Sequence, residues 1–143
     1  MDRTRFLILD TNVFLLFVVG QADERQLKSH RRLSIFMDGD YELLLALMAR
    51  ADELLLLPNI VTEASNLLGA ARDPAGARIL ATLRRIVDRA REVYVESRAA
   101  MSRTEFRYLD LTDCALLLSD IAEVTIVSTD ARFCHAARAI GLN

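Results

Sequence analysis

A chain of 143 residues has the size of one domain and is long enough to bury a hydrophobic core, so we expect a single domain over residues 1–143. The hydrophobic fraction of 52% excludes an intrinsically disordered protein. The net charge of −2 excludes the strongly basic surface that is typical of a pure nucleic-acid-binding module. Cys114 and Cys134 form neither a disulfide framework nor a CxxC pair, which favours small core residues in a reducing cytoplasm.

The apolar N-terminal segment predicts neither a signal peptide nor a membrane span. Arg3 and Arg5 precede the run Phe6–Leu9, as in a signal peptide, but Asp10 and Asn12 interrupt the apolar pattern. No small-residue cleavage site follows it. The segment is also shorter than the about 20 apolar residues of a spanning helix. We therefore expect a cytoplasmic protein without a membrane segment.

In the first half of the chain, predicted strands and helices alternate. Phe6–Leu9 predicts a strand buried on both faces, and the resumed apolar pattern through Val19 predicts a helix that ends at Gly20. Residues 25–37 predict a basic helix with an apolar inner side (Leu27, Leu33, Phe36) and a basic outer side (Lys28, His30, Arg31, Arg32). A turn at 38–40 then starts a helix over 41–48, and residues 54–57 form the second strand.

The second half continues the alternation. A helix over 60–68 carries Glu63 in its first turn, and a second helix runs from Asp73-Pro74 to about Ala90. A weak strand over 93–95 and a polar helix over 97–108 follow, and then a helix that Thr112 caps and that carries Asp113 in its first turn. The last elements are a strand over 124–127 and a helix from Ala131 through Ile140 with Gly141 as its stop. Strands alternating with helices predict an α/β protein with a parallel sheet.

Four acids occupy related positions in this pattern. Asp10, Glu63 and Asp130 follow the first, second and fourth strands, and Asp113 opens the helix that leads into the fourth strand. Ligands of open α/β sheets lie beyond the carboxyl ends of parallel strands, so we expect these four side chains to converge there. A simpler interpretation of Asp10 is a helix cap, because Asp and Thr are good capping residues.

Converging carboxylates predict a divalent cation. Two unit charges about 4 Å apart repel by about 4 kcal/mol at an effective dielectric constant near 20, and a cation removes that repulsion. A set of oxygen ligands selects Mg²⁺ or Mn²⁺ over zinc. Asp110, one helical turn before Asp113, is ambiguous, and we favour a cap or a supporting role over a ligand.

The motifs that contain these acids resemble those of a known family. Leu-Asp10-Thr-Asn, Thr62-Glu63, Leu-Thr112-Asp113-Cys-Ala-Leu and Ser128-Thr-Asp130-x-x-Phe resemble, in order, the four motifs of the PIN-domain ribonucleases. The resemblance covers essentially the whole chain. It implies a three-layer α/β/α sandwich around a central parallel sheet of four to five strands, and Mg²⁺-dependent endoribonuclease activity like that of the VapC toxins of toxin–antitoxin pairs.

Carried over by position, the resemblance assigns roles to individual residues. Asp10, Glu63, Asp113 and Asp130 are the metal-binding and catalytic acids, and Thr11, Asn12, Ser128 and Thr129 position ligands or water. The chain departs from the family at Arg132, where many relatives have an acid, and in the extra material at about 21–50, which puts the usual antitoxin clamp in doubt.

Several partners follow from this interpretation. Lys28, Arg31, Arg32 and Arg132 are candidate contacts to an RNA backbone, although solvated helix surface is the alternative. The Leu-rich helix near Leu43–Met48 is a candidate surface for an antitoxin or a homodimer, although buried core explains those leucines as well. The rival function is a catalytically weak or inactive PIN-like module that binds RNA or protein. Keeping four mutually repelling acids argues against that rival.

Overall fold

The computed structural model of the chain describes residues 4–119 and 123–141, so Arg3 lies outside the described residues. The strands in this part of the chain are β1 (Thr4–Leu9), β2 (Ala51–Leu56), β3 (Arg91–Glu92) and β4 (Val124–Val127). The helices are α1 (Thr11–Ala22), α2 (Asp40–Ala49), α3 (Pro58–Leu68), α4 (Pro74–Arg89), α5 (Ser97–Met101), α6 (Leu111–Leu117) and α7 (Ala131–Ala139).

The four strands form one parallel sheet in the order β3-β2-β1-β4. Strand β1 is central, and its Ile8 pairs with Leu55 of β2 on one side and with Ile126 of β4 on the other. The chain moves from β1 outward through β2 to β3 and then crosses to the opposite side of β1. A crevice therefore opens between the carboxyl ends of β1 and β4, at the point where the strand order reverses.

Strand β1 and helix α1, the two most apolar elements, lie at the centre of the hydrophobic core. Leu7, Ile8 and Leu9 of β1 are at most 1% exposed, as expected for a strand covered on both faces. Helix α1 is apolar around most of its circumference and buries residues on every side, which is typical of an internal helix. It contacts α2, α3 and α4, whereas α5 packs on α6. The predicted α/β class with a parallel sheet is confirmed, and the arrangement is compatible with three layers.

The predicted basic helix over 25–37 is wrong. Only two single 3₁₀ turns form there, Glu24–Gln26 and Arg31–Leu33, and His30 between them is extended at φ −77° and ψ 119°. Leu33 is buried, but Leu27 and Phe36 are only partly so. A helix this short depends on tertiary packing of its apolar side, and one fully buried residue does not provide enough.

Two predictions for the segment before α6 are also wrong. The third strand occupies Arg91–Glu92 and not 93–95, although the Val93 amide still donates to the Leu56 carbonyl at 2.8 Å. The polar helix over 97–108 divides into α5 and a 3₁₀ turn, Thr104–Arg107. Arg103 is extended between them and forms a two-bonded ion pair with Glu105. Residues two apart do not face each other on an α-helix, so this pair favours the break.

Helix α1 does not end at Gly20 as predicted but continues to Ala22, and Gly20 lies inside it, where the absence of a Cβ makes room for the Tyr41 ring. Strand β2 covers Ala51–Leu56 and not 54–57.

The helix boundaries at two other glycines agree with the sequence. Helix α2 begins after Gly39, whose φ of +94° favours glycine, and α7 is followed by Gly141 at φ +84°. Ile140 is an exception within that helix prediction, because it lies past the end of α7 and is 42% exposed. Across residues 4–119 and 123–141, no helix combines the length and apolar character needed to cross a bilayer.

Candidate functional site

Asp10 lies where β1 ends, in the crevice between β1 and β4. Its backbone N–H donates to the Val127 carbonyl at 2.9 Å, which ties it to the end of β4. Its Oδ1 accepts from the Val13 amide at 2.9 Å, while its Oδ2 accepts from the Ser128 hydroxyl and from the Thr129 amide at 3.1 Å. The side chain therefore caps α1, as the simpler interpretation holds, and is also bonded across the crevice.

Glu63 is held by two hydroxyl groups from different helices. It lies in the second turn of α3, not in the first as predicted, because the helix already begins at Pro58. Its Oε2 accepts from the Thr11 hydroxyl at 2.7 Å, and its Oε1 accepts from the Thr112 hydroxyl. These two bonds join α1, α3 and α6 around one carboxylate and fix its direction.

Thr112 has a different role from the predicted one. The cap of α6 is Asp110, whose Oδ1 accepts from the Asp113 amide at 2.9 Å. Thr112 lies inside the first turn and is buried, with its hydroxyl directed to Glu63. The preference for Asp110 as a cap is thus confirmed, and Thr112 is a contact of the site that the sequence interpretation missed. Its one signal was a hydroxyl residue directly before an acid of the set.

Asp113 shows that the acids share one electrostatic environment. It lies in the first turn of α6, as predicted, and is partly buried. Its pKa is raised from 3.8 to about 7, mainly by burial and further by repulsion from the surrounding carboxylates, in the order Asp110, Asp130, Asp10, Glu63. Each of the other predicted metal-binding acids is therefore close enough to oppose ionisation of Asp113.

Asp130 and Ser128 complete the β4 side of the crevice. Asp130 caps α7, where its Oδ1 accepts from the amides of Arg132 at 2.9 Å and Phe133 at 3.2 Å. The Ser128 hydroxyl donates to Asp10 and accepts from the Asp130 amide at 3.0 Å. Ser128 therefore links the two acids, which agrees with its predicted positioning role. Asn12, the other predicted supporting side chain, lies exposed in the first turn of α1.

The carboxylate of Asp10 experiences opposing influences. Burial, with only 8% of the residue exposed, raises its pKa, and repulsion from Asp130 acts in the same direction. The bonds from Ser128, Val13 and Thr129 lower the pKa. A buried carboxylate that accepts three hydrogen bonds next to other acids favours a bound cation as the way to stay ionised.

The donor chemistry of this cluster fits a hard cation, since Asp10, Glu63, Asp113 and Asp130 offer only oxygen atoms. Across the described ranges, however, no three Asp, Glu, His or Cys side chains are close enough together to constitute a metal-binding group. One oxygen of Asp10 and one of Asp130 already accept hydrogen bonds in helix caps.

The predicted basic contacts all lie on the surface. Lys28, Arg31, Arg32 and Arg132 are exposed, and the Lys28 Nζ lies 4.0 Å from Asp38 Oδ1. Surface pairs of this kind contribute about 0–1 kcal/mol. The Leu-rich helix α2 is divided, with Leu44 buried and Leu43 61% exposed. Contacts of these residues with RNA or a partner protein stay predictions.

Comparisons with known proteins assign no family to this arrangement. The chain matches no protein-family model, and it matches no curated protein. A function for it must therefore be inferred from the acids and the residues that hold them.

Proposed function

We propose that this chain is a PIN-like, Mg²⁺- or Mn²⁺-dependent endoribonuclease that hydrolyses RNA phosphodiester bonds. The observation that supports this most strongly is geometric: hydroxyls of α1 and α6 hold the Glu63 carboxylate, and the Ser128 hydroxyl joins Asp10 to the Asp130 amide across the crevice. Repulsion from these acids, together with burial, raises the pKa of Asp113 to about 7. Acids that repel one another in a crevice at the strand-order reversal are typical of a site that binds a cation. The resemblance of the four motifs to those of PIN-domain ribonucleases supports RNA as the substrate.

Asp10, Glu63, Asp113 and Asp130 would hold the ion. When bound, Mg²⁺ would polarise the scissile phosphate and lower the pKa of a nucleophilic water, which favours products with a 5′-phosphate and a 3′-hydroxyl. Because Mg²⁺ sites keep waters and substrate oxygens as ligands, a few protein carboxylates suffice.

The chain's own residues orient this set. Thr11 and Thr112 direct the Glu63 carboxylate, and Ser128 and Thr129 direct that of Asp10. With a pKa of about 7, the Asp113 carboxyl can hold a proton near neutral pH while no cation is present. Arg132 is exposed in the first turn of α7, next to Asp130, where it would attract the anionic backbone of the substrate.

The resemblance to VapC toxins suggests the biological setting. In that setting the protein acts in the cytoplasm as the toxin of a toxin–antitoxin pair, with an antitoxin or a second copy of itself as a partner. The parallel sheet in the order β3-β2-β1-β4 supports the PIN-like fold that this assignment requires.

A non-catalytic binding module is the second candidate, and one observation favours it. Asp10, Asp110 and Asp130 each cap a helix, so stability alone explains why three aspartates stand where they do. A scaffold therefore has a use for these three aspartates even without catalysis. Glu63 and Asp113 have no capping role, and the enzymatic proposal depends on them.

The test is cleavage of labelled single-stranded and structured RNAs with Mg²⁺, Mn²⁺ or EDTA. We expect cutting with either metal and none with EDTA. Asp10→Asn should lower the rate by at least about 10²-fold, the scale seen when one electrostatic group of a site is removed. Asp88→Asn is the matched control, because Asp88 is exposed on α4 and forms an ion pair with Arg84.

Binding of Mn²⁺, measured by electron paramagnetic resonance, separates the two candidates. Metal binding with no cleavage of any RNA favours the binding module or a missing partner. Absence of both cleavage and metal binding would overturn the proposed function.

A further inference from the structure

A cleft of about 190 Å³ opens beside the acid cluster. Three of its lining residues also bond Asp10: Val13 and Thr129 through their amides, and Ser128 through its hydroxyl. A group bound in the cleft would therefore lie one residue away from the proposed metal-binding carboxylate. The cleft and the acid cluster therefore share Val13, Ser128 and Thr129 as common neighbours.

The chemistry of the cleft differs from that of the acids. Apart from Ser128, Thr129 and Asp40, its lining consists of apolar side chains of α1, α2, β4 and the segment before α2, among them Phe36. Among the described residues that line the cleft, Asp40 is the one charged residue and none is Lys or Arg. A phosphate group would be repelled here, whereas a flat, uncharged ring with N–H donors matches both the apolar wall and the carboxylate.

The Asp40 carboxylate is fixed in place. Its Oδ2 accepts from the Met37 amide at 2.7 Å, and Gly39 lets the chain turn directly before it. At the rim of the cleft, Ile35 and Leu43 are 57% and 61% exposed. Covering these side chains would be favourable, and the volume is below the about 300–1,000 Å³ of a site for a whole small molecule. The cleft is suited to one ring of a larger ligand.

We propose that this cleft binds one nucleobase of single-stranded RNA adjacent to the bond that is cut, and that it favours a base whose exocyclic amino group donates to Asp40. The inference rests on the proposed ribonuclease function and adds a specificity site to it. Adenine and cytosine carry such an amino group, whereas uracil has a carbonyl oxygen in the corresponding place. An apolar side chain of a partner protein is the competing occupant, but it would exclude water from the Asp40 carboxylate and add no donor to the Met37 amide that the carboxylate already has.

The experiment follows the methyl resonances of Ile35 and Leu43 by NMR in Asp10→Asn, which is used to prevent cleavage. The probes are the hexanucleotides A6, C6 and U6 with Mg²⁺, and the methyl groups of Ile140 serve as the internal reference. We expect saturable shifts at Ile35 and Leu43 with A6 and C6, about tenfold weaker binding of U6, and no shift at Ile140.

Three variants in the same background define the contacts. Asp40→Asn should remove the preference of C6 over U6, because an amide presents a donor as well as an acceptor. Ile35→Ser should weaken A6 and C6 binding severalfold. Ile140→Ser is the matched control, since Ile140 is also exposed but does not line the cleft, and it should leave binding unchanged.

The remaining outcomes distinguish this inference from the proposed function. If the wild-type protein cleaves these RNAs but the Ile35 and Leu43 methyl groups do not respond, the nucleobase site is wrong and the ribonuclease stands. If RNA is neither bound nor cleaved, the proposed function falls and the inference with it. Shifts at Ile35 and Leu43 that depend on protein concentration alone would assign the cleft to self-association and overturn the inference.

Discussion

The acid crevice and the basic segment between α1 and α2 are both rich in polar residues, but their side-chain hydrogen bonds differ in sequence range. In the crevice, Glu63 and Asp10 accept hydrogen bonds from residues 49 to 119 positions away. In the basic segment the side-chain bonds are local, such as Arg25 to Asp23 and Ser29 to Gln26. The crevice thus depends on hydrogen bonds that cross the whole fold, whereas the side-chain hydrogen bonds of the basic segment hold its own turns.

This difference distinguishes a built site from a charged surface. Long-range bonds to a carboxylate fix its position to within the tolerance of the packed core, and that precision is what a binding site requires. Charges such as those of Lys28 and Arg25 are solvated, and their ion pairs contribute little. The following substitutions test the contrast, from the largest expected effect to the smallest.

Glu63→Gln compared with Glu24→Gln should separate the two regions most clearly. Gln keeps the size of Glu63 but removes its charge, so we expect RNA cleavage to fall by at least about 10²-fold and Mn²⁺ binding to weaken. Glu24 is exposed in the 3₁₀ turn after α1, and its substitution should leave cleavage unchanged. Equal rates for both variants would remove Glu63 from the site.

Thr112→Val tests how strongly the fold depends on the Glu63 contacts. The substitution removes one of the two hydroxyl donors from a partly buried carboxylate, so we expect the free energy of unfolding in urea to fall by about 1.5–3 kcal/mol. Thr82→Val is the matched control. Thr82 is equally buried, but its hydroxyl donates to the Arg78 carbonyl of its own helix, and the expected loss is about 1 kcal/mol or less. Similar losses would mean that the Glu63 contact has no special weight.

Asp113→Asn should change the pH dependence of stability. A carboxyl whose folded pKa is raised to about 7 binds more protons in the folded state between about pH 4 and pH 7, so the wild-type protein loses stability as the pH rises through that window. The neutral variant avoids this loss. We expect it to be more stable than wild type by about 1 kcal/mol at pH 8, allowing for solvent screening, and equally stable at pH 4.

Thermal unfolding in EDTA at both pH values measures this effect. Asp88→Asn is the control, because Asp88 is exposed beside Arg84. Added Mg²⁺ should stabilise wild type more than Asp113→Asn at pH 8. A gain for Asp113→Asn that is equal at both pH values would contradict the assignment to charge repulsion.

Neutralising the basic segment should have the smallest effect. Arg31→Gln combined with Arg32→Gln should reduce the salt dependence of RNA binding by about 1.4 in the slope of log K against log salt, if each arginine contacts one phosphate of a single strand. Arg138→Gln, an exposed position at the end of α7, is the control. An unchanged slope would exclude both arginines from the path of the RNA.

The sequence predicts those features that depend on local patterns. Phe6–Leu9 is a buried strand because every residue is apolar, and Asp73-Pro74 starts α4 because the Asp side chain accepts from the Gly76 amide. The basic segment is mispredicted, since the spacing of Leu27, Leu33 and Phe36 does not reveal that Leu33 alone of the three is fully buried. A local apolar pattern predicts a helix correctly only when the tertiary fold buries the apolar side of that helix.

The same limit applies to the candidate site, where local patterns predict the positions of some residues but not the contacts between distant ones. The position of Asp10 follows from β1, which ends directly before it, and that of Asp130 follows from β4, which ends three residues before it. The bond between Thr112 and Glu63 does not, because it joins two helices through the tertiary fold, and nothing near either residue specifies the other. Asp110 was ambiguous in the sequence because capping and metal binding favour the same side chain at the same kind of position.

The capping aspartates have a consequence for how this protein can diverge. Because Asp10, Asp110 and Asp130 each hold the first turn of a helix, selection for folding alone preserves them, even in a lineage that no longer performs chemistry. Glu63 also supports the fold, because its carboxylate joins α1, α3 and α6. Asp113, in contrast, loses stability to charge repulsion unless a cation is bound, so selection for folding alone does not maintain it. In a set of descendants, loss of Asp113 beside intact caps would identify the branches in which the activity has decayed.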